Sequence, residues 1–322
     1  MDKLTTAVLL AGSVGLGLVW SQRERRLRPK KVRKDEKSQV TPFNLKEHRD
    51  AILKRVEIIA KSLNRDVNSI LDSFPHLKDG ASYQFRPYDY GGAIGNTVDQ
   101  SILKQTQGSK DLRTNCEDAH KYKFEAICIH PTRIQEGIQI LEELAKKDNT
   151  SRYTKVITVI GFPLGHMTTA SKVHETQDAI ALGAEEIDMV LHISHLIDQD
   201  YKYVLDDIAA VVNVSKQKGI PVKVILENCL LTRDQIIDGC LLSVLAGAQF
   251  VKTSTGFSTA GAKPEDIKVM KAVVGDQALV KAAGGVRSYE EALVMVSLGA
   301  ARIGTSAGVV ICQGSGTSTA SY

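Results

Sequence analysis

Two lysines interrupt two otherwise apolar runs in the last third of the chain. In "FVKTSTGF", residues 250–257, Lys252 follows Phe250 and Val251 and precedes Thr253, Ser254, Thr255 and Gly256. In "ALVKAAGGVRS", residues 278–288, Lys281 follows Leu279 and Val280 and precedes small residues and the pair Gly284-Gly285. Each run reads as a buried strand that ends in a lysine and opens into a loop. Adjacent strands lie about 4.8 Å apart, so equivalent positions would bring two ammonium groups within several ångströms. Like charges in a desolvated site make one of them easier to deprotonate, and a lysine must lose its proton to act as a nucleophile. The chemistry this favours is Schiff-base formation with a carbonyl substrate. The alternative is a pair of phosphate ligands or solvent-facing lysines, and the apolar surroundings of both residues speak against it.

Other residues fit the same picture. Asp188, in "EEIDMVL", lies between Ile187 and Met189. A carboxylate inside an apolar strand must be paired or functional; it could bridge a lysine and pass protons, or form a purely structural ion pair. "AAGGVRS" (282–288) and "RIGTSAG" (302–308) combine glycine-rich turns with following helices. Such turns can hold a phosphate through backbone N–H groups, here with Ser306 and Arg287. Cys128, in "AICIHP", has no legible His–Asp support and reads as a packed thiol. The eight histidines show no metal-ligand spacing, so no metal is expected.

The elements that must position these residues recur at intervals of about 23–36 residues: 97–103, 124–131, 155–163, 185–193, 221–228, 249–256, 278–285 and 301–306. Helical patterns lie between them, and several end in Gly-Ala, a helix C-terminal signal. Eight strand–helix units match an eight-stranded parallel β/α (TIM) barrel, in which functional groups gather at the C-terminal strand ends. An open doubly wound sheet is the competing architecture, but no run carries a G-x-G-x-x-G turn or a Walker lysine. Ahead of the barrel, 43–75 shows apolar residues at helical spacing with a break near Asn64–Asp66. "PHLKDGASYQFRPYDYGG", residues 75–92, reads as loop. The chain thus divides into a leader and linker (1–40), a helical extension with a loop (41–95) and the barrel (96–322).

The 322 residues are 43% hydrophobic and 24% charged, a globular composition. The net charge of +4 is concentrated between Arg23 and Lys37, where nine Lys/Arg face three Asp/Glu. The remainder is near neutral, which gives no basis for nucleic-acid binding. Five cysteines without a C-x-x-C pair point to a reducing compartment and against a disulfide framework. Residues 4–20 are apolar and are followed at once by "RERRLRPKKVRK". That order of charges fits a short anchor with a cytoplasmic body better than a cleaved secretory signal or matrix presequence. The alternative is a loosely ordered leader, and attachment to the mitochondrial surface stays open.

"VIGFPLG", "GAEEIDMVLHI", "VKVILENCLLT", "FVKTSTGFST", "VKAAGGVRS" and "ARIGTSAGV", in this order, resemble the bacterial-type deoxyribose-phosphate aldolases over about 96–322. The spacing of KTSTG and K-x-x-GG-V-R is the most specific part. The resemblance implies a class I aldolase that needs no metal or cofactor. It would interconvert 2-deoxy-D-ribose 5-phosphate with D-glyceraldehyde 3-phosphate and acetaldehyde. It makes Lys252 the Schiff-base nucleophile, Lys281 the neighbour that eases its deprotonation, and Asp188 the proton-relay acid. Gly284, Gly285, Gly304 and Ser306 would line the phosphate site, with Arg287 near it. Asp99 and Ser101, in "VDQSIL", take substrate-binding positions, as do Cys128 and Thr255. The terminal Tyr322 matches a mobile family tyrosine that aids proton transfer, and a homodimer is the implied assembly. Gln100, His192 and Ala307 depart from the family pattern, and 1–95 has no counterpart in its compact members. A transaldolase-like barrel and a membrane-tethered binding protein are the rival readings.

Overall fold

Eight short runs, most of them apolar and all largely buried, pair edge to edge until no edge is left. They are β1 (Val98–Ile102), β2 (Ala126–Ile129), β3 (Lys155–Ile160), β4 (Glu186–Val190), β5 (Val222–Ile225), β6 (Phe250–Lys252), β7 (Leu279–Ala283) and β8 (Ala300–Thr305). All pairings are parallel and follow chain order, and β8 returns to β1. The expected closed barrel is the architecture. The computed structural model describes residues 44–78, 85 and 87–314. Among them no helix is long and apolar enough to cross a membrane; the run 4–20 and Tyr322 lie outside the described residues.

Alternation along each strand divides the side chains between two environments. Val98, Ile127, Val156, Ile187, Val224, Val251, Val280 and Ile303 join the large core between strands and helices. The intervening residues form the barrel interior. On the β1–β3 side this interior is an apolar cluster of Leu103, Ala126, Cys128, Ile157 and Val159. On the β4–β8 side it is charged. Several helices start at side-chain caps, such as Thr232 with Gln235 and Ser288 with Glu291. Gly183 and Gly247 end helices with φ of 102° and 87°, a conformation that costs other residues energy.

The extension folds as the periodicity predicts, with one addition. Helix Lys46–Ser62 is stopped by Asn64, whose φ is 50°, and by the hydrogen bond from Arg65 N–H to the Ala60 carbonyl. Val67–Leu71 follows, capped by Asp66. Pro75–Lys78 is a further helical turn where the sequence reads as loop; Pro75 stands at its first position, where proline's missing N–H costs nothing.

Ile52, Val56, Ile59 and Ala60 of the first helix are buried, and it packs on helices Tyr201–Lys216, Arg233–Leu245 and Pro264–Val274. Its Arg55 donates to Asp238 (2.7 Å) and to Tyr201, whose hydroxyl also donates to Asp238 (2.8 Å). Asp238 is fully buried. Arg55→Ala leaves that carboxylate without a cation and with the Tyr201 hydroxyl as its remaining donor, so denaturant unfolding should show a loss of about 3 kcal/mol. Asp234→Ala, which removes only a distant exposed partner of Arg55 (3.8 Å), should cost less than about 0.5 kcal/mol.

Candidate active site

Seven charged side chains meet inside the β4–β8 half of the barrel and across its closure to β1. Asp188, from the middle of β4, is fully buried. Its Oδ2 accepts from both Lys252 Nζ and Lys281 Nζ at 2.8 Å, and its Oδ1 accepts from Lys223 Nζ at 2.9 Å. The register explains the meeting. Lys252 is paired with Lys281 across β6 and β7, and Asp188 with Lys223 across β4 and β5. The two ammonium groups that share one oxygen stand within two hydrogen-bond lengths of each other.

The contacts continue away from Asp188 in both directions. Lys281 reaches Asp99 of β1 at 2.6 Å, and Asp99 pairs with Arg302 of β8. Lys223 reaches Glu186 at 2.6 Å, and Arg302 spans both oxygens of Glu186 at 2.8 and 3.0 Å. At the N-terminal end of the barrel, Lys155 pairs with Glu186 and Glu125, both at 2.8 Å.

These contacts fix protonation states. Burial alone would raise the carboxyl of Asp188, but the three ammonium groups outweigh it and hold it well below the usual carboxylate range. Glu186 is treated likewise by Arg302, Lys223 and Lys155. Burial alone would lower Lys281; Asp188 and Asp99 outweigh it and carry it above the usual lysine range. Cys128 is pushed up to about 11 by burial and by Asp188, so it is a thiol packed beside the charges.

A model described as DeoC/LacD family aldolase matches residues 87–314. The chain belongs to this aldolase family. The chain is 48% identical over 221 residues to a deoxyribose-phosphate aldolase of Clostridium perfringens, with 69% of this chain and 95% of that protein covered. It is 46% identical to one of Thermococcus kodakarensis, with 69% and 96% covered. A tetrameric deoxyribose phosphate aldolase from Aeropyrum pernix superposes with a TM-score of 0.61 at 31% identity, covering 68% of this chain and 89% of that one.

In this family member, Lys252, Lys281, Asp188 and Asp99 come together as one cluster, with Cys128 against it. Ser101 lies beside Cys128 in the register of β1 and β2. Thr255 is engaged elsewhere: its hydroxyl and its N–H both donate to Glu227, a buried residue with φ of 59°. Burial raises the Glu227 carboxyl. Gly304 lies against Lys281, and a Cβ there would sit 3.1 Å from its Cε. Gly284 and Gly285 turn the chain after β7 with φ of 83° and 79°. The next helix is closed by its own cap, since Glu291 accepts from the N–H groups of Arg287 (2.7 Å) and Ser288 (3.1 Å). Gln100 ties β1 to the turn after β8: it donates to the Ser306 carbonyl (3.1 Å) and accepts from Gly308 N–H (3.0 Å). Lys223, Glu186 and Arg302 were not singled out by the sequence reading. Lys223 and Arg302 are charged residues inside apolar runs, the same signal that marks Lys252, whereas Glu186 follows Glu185 at the start of β4.

The shift at Asp188 has a direction in pH. An unfolded Asp titrates near 4, and the folded group lies lower. Its stabilisation is therefore complete above about pH 5 and is lost as pH falls through the folded value. Asp188→Asn should lower stability by about 3–5 kcal/mol at neutral pH, where three lysines lose their shared partner. The gap in Tm from wild type should narrow steadily below about pH 4, as measured by calorimetry.

Proposed function

We infer that this chain is a deoxyribose-phosphate aldolase. It cleaves 2-deoxy-D-ribose 5-phosphate reversibly to D-glyceraldehyde 3-phosphate and acetaldehyde through a Schiff base on Lys252. The relatives of that name, matched over nearly their whole length, support the substrate. One observation carries the assignment of the amine. Lys252 touches a single carboxylate, Asp188, whereas Lys281, Lys223 and Arg302 each touch two or more. Within the cluster, the least compensated cation is the one that becomes a free amine at least cost.

The amine of Lys252 adds to the aldehyde carbon of the open-chain sugar, and loss of water leaves an iminium. The hydroxyl on carbon three gives up its proton, and the bond between carbons two and three breaks. Its electron pair moves into the iminium to form an enamine, and D-glyceraldehyde 3-phosphate departs. Carbon two then takes a proton, and water releases acetaldehyde and restores the amine. Asp188, ionised at rest, accepts and returns protons and balances the iminium charge. Lys281 stays cationic beside it and opposes a second ammonium at Lys252. Water and Tyr322 complete the proton path to carbon two. Asp99 holds Lys281 and Arg302 in place, and Ser101 and Cys128 form the wall beside the reacting carbons. Thr255, fastened to Glu227, fixes the loop that follows Lys252. The phosphate is held by the Gly284-Gly285 turn, Ser306 and the Arg287 guanidinium, with Gly304 leaving room for the Lys281 shaft.

Borohydride reduction in the presence of deoxyribose 5-phosphate should leave a covalent adduct on the peptide that contains Lys252. Lys252→Leu should give neither adduct nor turnover. Lys281→Leu should lose about 100-fold in turnover and move the pH optimum upward. Full activity of Lys281→Leu at neutral pH, or an adduct on another lysine of the folded protein, would sink the assignment.

A further inference from the structure

The contacts around Asp188 close on themselves. From Arg302 they run to Asp99, Lys281, Asp188, Lys223, Glu186 and back to Arg302. Cation and carboxylate alternate at every step. Three positive and three negative groups make the ring neutral by itself. All six are buried, Arg302 being the most exposed at 4%. Lys252 is attached to this ring at one point, Asp188 Oδ2. As an ammonium it is a surplus charge on a group already balanced, and an uncompensated buried charge is costly.

We propose that Arg302, Glu186 and Lys223 are positioning residues which close a neutral ring around Asp188 and thereby govern the proton on Lys252 without touching it. The proposal rests on the Schiff-base reading above. Four groups among the described residues face Lys252. Asp188 comes from β4, Lys281 from β7, Cys128 from β2 and Glu227 from the end of β5. On the far side of the ring, Lys155, Glu125 and Tyr88 face Arg302 and Glu186. Lys155 and Glu125 are opposite charges in contact (2.8 Å), so they leave the balance of the ring unchanged. The Phe250 ring lies under Lys223 Nζ (5.4 Å) and Arg302 (5.7 Å) and keeps water from that side.

A structural strut and a charge-balancing ring differ in one measurable sign. Removing a ring anion leaves a positive ring, which opposes protonation of Lys252. Removing a ring cation leaves a negative ring, which favours it. The test measures the acidic limb of kcat/KM for deoxyribose 5-phosphate in Glu186→Gln and Arg302→Met. Borohydride trapping of acetaldehyde on Lys252 is followed over the same pH range. Glu186→Gln should move both profiles down by about one pH unit, and Arg302→Met should move both up by about one. Lys223→Met, which should also move them up, replaces Arg302→Met if that variant does not fold. Loss of activity with the profiles unmoved, or moved in one direction by both substitutions, overturns the ring proposal while leaving the aldolase assignment intact. A wild type that neither traps acetaldehyde nor turns over deoxyribose 5-phosphate overturns the aldolase assignment instead, and the ring proposal with it.

Discussion

Everything in this barrel turns on one constraint: charges without access to water must be compensated by one another. Three carboxylates, Asp99, Glu186 and Asp188, face four cations, Lys223, Lys252, Lys281 and Arg302, in a space where none exceeds 4% exposure. Six of them alternate around a ring, and the seventh hangs from it. Water could not replace these contacts without entering the barrel, so the geometry is rigid wherever the ring holds. The same constraint singles out Lys252, the one cation of the seven that is attached to the ring without belonging to it.

The fold is what makes such a ring affordable to build. A closed parallel barrel turns alternate residues of every strand toward one axis, so charges from β1, β4, β5, β7 and β8 converge although they are far apart in sequence. Asp99 and Arg302 are 203 residues apart and meet because β8 closes on β1. The apolar cluster around Cys128 and Ile157 fills the opposite half, which leaves the charges a wall of low polarity to work against. The first helix of the extension stays outside this interior. It lies on the outer helices and is fastened there by Arg55 and Asp238.

Most strands were legible because they are apolar runs that end in polar or small residues, and the helices because of their apolar spacing and, in several, a closing Gly-Ala pair. Lys252, Lys281 and Asp188 were legible for the same reason: each breaks an apolar run. Lys223 breaks "PVKVIL" in the same way but sits early in its strand, and attention to strand ends passes over it. Glu186 is two residues before Asp188 and so shares its face, a period-two relation present in the sequence. The pairing of Arg302 with Asp99 was not readable, because it depends on barrel closure and register. Thr255 was read as a substrate contact from resemblance alone; its bond to Glu227 follows from a left-handed backbone turn that no local pattern announces.

The central claim is that Lys252, of the three lysines that meet at Asp188, is the one that stands outside the balanced ring. Nuclear magnetic resonance of protein labelled at the lysine ε-carbons tests it directly, with Lys223, Lys252 and Lys281 assigned by single substitution to methionine. The account predicts that, as pH rises, the Lys252 signal shows loss of its proton first, while Lys281 and Lys223 remain ammonium groups. A Lys281 or Lys223 signal that changes before that of Lys252 would contradict it.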